Sequence, residues 1–130
     1  MVSRWSIVVR GRLAEADVVS GEAPPAVVEA LVKEGCAAYL GQVESLLDYE
    51  MEVGPLRPVF VGEARTVLVA ASATEVSQDS FTVSVRLRPL RGGEEAVAAD
   101  FTCRVRPAGG VAATTRTELI QLEQNASRTG

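Results

Sequence analysis

Between Pro25 and Leu47 the apolar residues Val28, Leu31, Val32, Gly35, Tyr39, Val43, Leu46 and Leu47 recur at three- and four-residue spacing. That is the period of a helix, not of a strand. Val27, Ala30, Ala37, Ala38 and Leu40 place apolar side chains on other faces as well. A helix with so little polar surface is buried on several sides. The pattern predicts one long helix from about Pro25 to about Leu47, entered from a loop that begins at Asp17. Pro24 and Pro25 suit the entry, because proline's missing N–H has no intrahelical partner in the first turn.

Elsewhere the pattern shifts to a period of two. Trp5 to Leu13 reads as a strand, with Trp5, Ile7 and Val9 opposite Ser6, Val8 and Arg10. A short strand is expected over Tyr49–Val53, and Gly62 marks a turn after Val59-Phe60-Val61. Arg65 to Thr74 sets Val67, Val69, Ala71 and Ala73 on one face. Ser80 to Arg88 sets Phe81, Val83, Val85 and Leu87 against Thr82, Ser84, Arg86 and Arg88. Glu95 to Arg106 does the same with Val97, Ala99, Phe101, Cys103 and Val105. Ser77-Gln78-Asp79 and Gly92-Gly93 are turn residues. Links this short make the late strands antiparallel, since a parallel crossover needs a dozen or more residues. Thr117 can cap a short helix holding Leu119, Ile120 and Leu122. The tail Asn125–Gly130 is expected to be disordered. The chain thus divides into residues 1–110, one α+β domain with five to six antiparallel strands around a single long helix, and residues 111–130, a short helix and tail.

The length of 130 residues fits one domain with one core. No apolar run reaches membrane-spanning length, and the N-terminus shows no small-residue cleavage site, so a cytoplasmic protein is expected. Cys36 and Cys103 form no disulfide pattern and read as reduced thiols. The net charge is −4. The cations are scattered, with no basic stripe carrying interleaved aromatics, so nucleic acid is not an expected partner. The chain contains no histidine. This removes Ser-His-Asp and Cys-His nucleophile pairs and imidazole-based zinc sites, and no metal or cofactor is expected. Any general base must be a carboxylate, lysine, tyrosine or thiolate.

Order of elements and particular residues together resemble the hotdog fold, and within it the 4-hydroxybenzoyl-CoA thioesterase-like acyl-CoA thioesterases. The likeness runs from about Trp5 to Arg106, with a weaker match in the tail LIQLEQNAS. Relatives commonly read D-x-x-x-x-G-H-V-N-P before a helix of the type L-x-x-W-L-E-E-A. Here the loop is Asp17-Val18-Val19-Ser20-Gly21-Glu22-Ala23-Pro24-Pro25, one residue shorter before the glycine, and the helix carries Leu31-Val32-Lys33-Glu34-Gly35. Arg57-Pro58-Val59-Phe60-Val61-Gly62 is similar to the phrase R-P-V-x-x-G that leads into the long strands. The loop departs from the pattern at two points: Glu22 replaces the histidine and Pro24 replaces the asparagine.

The resemblance implies hydrolysis of an acyl-CoA or acyl-carrier-protein thioester. That chemistry needs a nucleophile or an activated water, together with positive dipole at the carbonyl oxygen. Asp17 matches the loop aspartate and is the candidate nucleophile or base; the alternative is a solvated loop acid. Glu34 matches the second glutamate of L-E-E-A and is the alternate carboxylate; otherwise it is a polar helix residue at a subunit interface. Glu22 is a replaced catalytic group or an ordinary loop acid. Both prolines lack an N–H, so the oxyanion donors would be the backbone of Gly21, Ala26 and Val27. Cys36, inside the helix, is read as a small buried side chain. Arg86, Arg88 and Arg91 lie near one turn, where Arg88 and Arg91 could meet coenzyme A phosphates, or all three stand solvated at strand ends. The resemblance also implies a homodimer or homotetramer with the active site between subunits. A second reading is a non-catalytic hotdog acyl-binding or accessory protein, to which Glu22 and Pro24 point. A hydratase is disfavoured, because those relatives use a histidine.

Overall fold

A computed structural model of the chain describes residues 5–90 and 97–128. The elements are β1 (Ile7–Arg12), β2 (Glu22–Ala23), α1 (Pro25–Leu40), β3 (Tyr49–Val53), β4 (Val59–Phe60), β5 (Thr66–Thr74), β6 (Phe81–Pro89), β7 (Ala99–Pro107) and α2 (Ala113–Arg128). Five strands form one antiparallel sheet in the order β1-β5-β6-β7-β3, and β2 pairs with β4 as a separate ribbon. One face of the sheet packs on α1 through β1, β5, β6 and β7. The period-two pattern reads directly into this packing: Val67, Val69, Ala71, Phe81, Val83, Val85, Leu87, Phe101, Cys103 and Val105 are all buried in one core with α1. The alternate positions of β6 and β7 carry the polar residues, where Arg86 and Asp100 form a bidentate pair across the strands at 2.7 and 2.9 Å.

Gly35 marks the closest approach of α1 to the sheet. A Cβ there would lie 2.5 Å from Val69 Cγ1 and 3.1 Å from Val85 Cγ1. Leu31, one turn earlier, lies over Gly11, where a Cβ would meet Leu31 Cδ2 at 2.6 Å. Tyr39, one turn later, reaches α2 and the end of β5. These three contacts give α1 its direction. Its N-terminus lies toward the end of the sheet marked by Val67, Pro89 and Ala99, and its C-terminus toward Ala73 and Val83.

The structure departs from expectation in three places. The helix ends at Leu40, not near Leu47. Gly41, Gln42, Val43 and Leu46 close successive tight turns instead, which fold Val43 into the core and leave Leu47 exposed. The last strand begins at Ala99, so Val97 is not on its buried face but 82% exposed. Gly92-Gly93, read as a turn, and Arg91 lie outside the described residues. The C-terminal helix is not short: it starts at Ala113, before Thr117, and takes in Asn125–Arg128, expected to be disordered.

The reason for the early helix end is tertiary. Glu118 of α2 accepts hydrogen bonds from the N–H groups of Glu44 and Ser45 at 2.8 and 3.1 Å, and Ser45 and Thr115 share a hydroxyl bond of 2.7 Å. These bonds hold residues 43–46 in turns against α2. The Ser45 side-chain bond and the two backbone N–H groups hold the Glu118 carboxyl below the usual carboxylate range.

Candidate functional site

The loop before α1 is built by a tight hairpin. Val19 and Glu22 exchange both backbone hydrogen bonds, at 2.9 and 3.0 Å. Between them Ser20 and Gly21 both have positive φ, 53° and 78°. That is the type I′ geometry favoured between two strands, and glycine adopts it without steric cost. The Gly21 carbonyl accepts the N–H groups of Val61 and Gly62, at 2.8 and 2.9 Å, which ties the hairpin to the chain entering β5. The segment holding Asp17 therefore runs back beside the segment that enters α1.

Asp17 ends a short 3-10 turn, Glu15–Asp17. Its Oδ2 accepts the Ala14 N–H at 2.8 Å, and its own N–H donates to the Ala14 carbonyl at 3.0 Å. The side chain is half-buried. At the helix start, Val27 and Val28 N–H both donate to the Pro24 carbonyl, at 2.9 and 3.0 Å. Of the three candidate oxyanion donors, Val27 is thus already engaged. Ala26 is the first residue of α1 with an N–H, and among the described residues no partner takes it. It is an orphan donor of the first turn, at the positive end of the helix dipole. No side chain caps this helix end.

Glu34 is exposed and sits eight residues beyond Ala26 on α1, about 12 Å along the axis at 1.5 Å per residue. The two do not converge on one carbonyl within a single chain. Glu22 is exposed on β2 opposite Phe60. Arg88 is exposed on β6. Arg86, paired with Asp100, also lies under Trp5, its guanidinium carbon 5.2 Å from the ring centroid. Cys36 and Cys103 are fully buried and reduced. A hydrogen bond between their side chains, together with burial, raises the Cys36 pKa far above that of an ordinary thiol, which suits packing and not nucleophilic attack.

A cleft of about 340 Å³ opens at the same end of the molecule, lined by Arg57, Pro58, Val59, Phe60, Pro89 and Val97–Ala99. The sequence reading passed over Arg57 and Phe60 as ligand contacts, taking R-P-V-x-x-G for a fold signal only. A large apolar residue alternating with a buried one in a two-residue strand was the available hint. A second, more polar cleft of about 730 Å³ lies on the outer sheet face between Trp5, Ser72, Ser84, Arg86 and Glu123. Among the described residues no group of histidine, cysteine and acidic side chains is arranged to hold a metal ion, and no helix is long and apolar enough to cross a membrane.

Comparison of the whole chain with solved structures finds the same architecture. A thioesterase from Thermus thermophilus, solved with coenzyme A and zinc, superposes with a TM-score of 0.68 over 93% of this chain and 97% of its own, at 20% identity. This is the hotdog fold. The BH1999 gentisyl-coenzyme A thioesterase superposes with a TM-score of 0.56 over 88% of this chain and 99% of its own, at 13% identity. No protein-family profile matches the sequence, and no curated protein matches it. The hotdog arrangement of one sheet on one central helix is therefore visible in three dimensions where sequence comparison finds no relative.

Proposed function

We propose that the chain is an acyl thioesterase acting on acyl-CoA or acyl-carrier-protein thioesters. The observation that carries this reading is the N-terminus of the buried helix, where among the described residues no side chain caps the end and nothing takes the Ala26 N–H, with the Val19–Glu22 hairpin turning back the segment that holds Asp17. The hotdog fold shared with a thioesterase solved with coenzyme A and with a gentisyl-coenzyme A thioesterase supports the same substrate class. In this reading the thioester carbonyl oxygen faces the Ala26 N–H, with Gly21 as the second donor. Asp17 removes a proton from water as the water oxygen bonds to the carbonyl carbon. The C–S bond then breaks, and the thiolate leaves with the proton that Asp17 took up. The free acid and free thiol are the products. Exposed Arg88, with Arg91, meets the phosphates of coenzyme A. Glu34 serves as the alternate carboxylate, and its separation from Ala26 fits a site completed by a second subunit of a homodimer or homotetramer.

One observation favours the non-catalytic reading, an acyl-binding or accessory protein. The Asp17 carboxylate already accepts the Ala14 N–H at 2.8 Å, which is a loop-closing role. Asp17→Asn separates the two, because an asparagine oxygen keeps that bond while the charge is lost. With a panel of acyl-CoAs and release of free thiol followed, Asp17→Asn is expected to lower turnover by about 10²–10⁴-fold, the effect of losing a positioned base. Glu34→Gln should have the smaller effect. Binding of acyl-CoA without any thiol release by the unmodified protein decides for the accessory reading.

A further inference from the structure

The cleft beside Phe60 lies at the N-terminal end of α1, and the loop contacts make it continuous with the site proposed above. Phe60 pairs with Glu22, the residue between Gly21 and the helix entry. A Cβ on Gly21 would lie 3.3 Å from Phe60 Cε1, so the ring rests against the hairpin. Pro89 and Ala99, on the opposite wall, close the sheet end toward which the α1 N-terminus lies.

Two features of the lining suit a ligand. The first is apolar surface left in water: Phe60 is 59% and Val97 82% exposed. The second is Arg57, the one charged residue among the described lining of the cleft. Its guanidinium carbon stacks 4.6 Å from the Phe101 ring centroid, and Nη1 donates to the Asp100 carbonyl at 3.3 Å. Among the described residues no carboxylate pairs with it. The ion pairs there are Lys33–Glu29, Arg65–Glu15 and Arg86–Asp100; the last occupies both Asp100 oxygens, and Arg57 acts on that carboxylate through charge alone. Arg57 is exposed at the rim of this apolar lining, and a guanidinium with spare donors is matched to a planar carboxylate.

We propose that this cleft receives the acyl group of the thioester substrate and that Arg57 selects acyl chains ending in a carboxylate. The inference rests on the thioesterase reading for the position of the thioester, and on the cleft alone for the chemistry of the acyl group. A volume of about 340 Å³ is at the lower end of small-molecule sites, so the chain is compact. The pantetheine arm of coenzyme A fits the lining less well, because its amides need hydrogen-bond partners and Arg57 is the only side-chain donor among the described lining residues.

The experiment compares glutaryl-CoA with hexanoyl-CoA, of similar length but with and without the terminal charge. Steady-state hydrolysis and calorimetric binding are measured on the unmodified protein, Arg57→Gln, Arg57→Lys and Phe60→Ala, each first checked for an unchanged melting curve. Arg57→Gln is expected to raise KM and Kd for glutaryl-CoA by about tenfold, the scale of one charge-assisted hydrogen bond. It should leave kcat, and both constants for hexanoyl-CoA, nearly unchanged. Arg57→Lys should restore part of the loss, and Phe60→Ala should weaken both substrates. Equal weakening of both by Arg57→Gln, absent with the acyl-pantetheines, would place Arg57 on a coenzyme A phosphate and overturn the acyl assignment. Unaltered binding of both by Arg57→Gln and Phe60→Ala also overturns it. Arg57-dependent binding of glutaryl-CoA with no thiol released upholds the cleft while the hydrolase reading fails.

Discussion

The two ends of the central helix are built in opposite ways. At its C-terminal end nearly every polar group is matched. Glu123 of α2 accepts from Ser6 Oγ at 2.7 Å, Tyr39 OH at 2.6 Å and the Ala73 N–H at 3.0 Å, and Ser72 Oγ also bonds to it. Glu118 holds the turns that follow α1, and Leu119 between them is buried. Burial and the bond to Glu123 raise the Tyr39 pKa well above that of an ordinary phenol, so it remains a neutral donor. At the N-terminal end, among the described residues, no side chain caps α1 and no helix covers it, and Phe60, Val19 and Val97 are largely exposed. A helix end that the fold satisfies contributes stability. One that it leaves open keeps its donors and apolar surface for something else.

The largest expected effect comes from the core that both ends share. Phe81 lies toward the anchored end and Phe101 toward the open end, and both are buried. Alanine at either is expected to cost about 3–5 kcal/mol in denaturant unfolding. A much smaller loss at Phe101 alone would mean that the open end is loosely packed as well as uncapped. Next comes the anchor. Glu123→Ala leaves Tyr39 OH and the Ala73 N–H unsatisfied, at about 1–3 kcal/mol for each buried group. Its melting temperature should fall while thiol release at the folded temperature is unchanged, because the change lies at the far end of α1.

A pH titration sharpens the same contrast. The folded Glu118 carboxyl is held below its ordinary value, so its contribution is complete above the unfolded value of about 4.3. The contribution is lost as pH falls through the lower folded value. The stability difference between the unmodified protein and Glu118→Gln should be constant near neutrality and close in acid; a difference that persists there would assign the bonds to geometry without charge. Phe60→Ser is expected to have the smallest effect on folding, within about ±0.5 kcal/mol, as for surface sites. A clear gain in stability or solubility would indicate that its exposed ring is kept for binding.

Periodicity made most of the fold readable. The alternation in β6 and, from Ala99, in β7 identified the buried face, because there the sheet has one dry face and one wet one; in β5 Ala70 and Ser72 on the other face are buried as well, and Val97 falls outside its strand. The proline pair located the start of α1. Where the reading failed, a partner distant in sequence decided. The pattern through Val43 and Leu46 suits a helix as well as a series of turns, and only Glu118, 73 and 74 residues away, favours the turns.

The candidate site was legible in residue type and not in arrangement. Asp17, Gly21 and Ala26 are candidates from the loop phrase, and the absence of histidine limits the chemistry. That Val27 is already engaged, that Glu34 stands about two turns from the helix start, and that Arg57 faces no described carboxylate are statements about distance. Local sequence determined which residues alternate, where the chain turns and which groups can ionise, since each depends on neighbours a few positions away. The tertiary structure alone decided which end of α1 is closed and which is open. That depends on where α2 comes to rest, and it rests where Glu118 and Glu123 find donors contributed by β1, α1, β5 and the turns after α1.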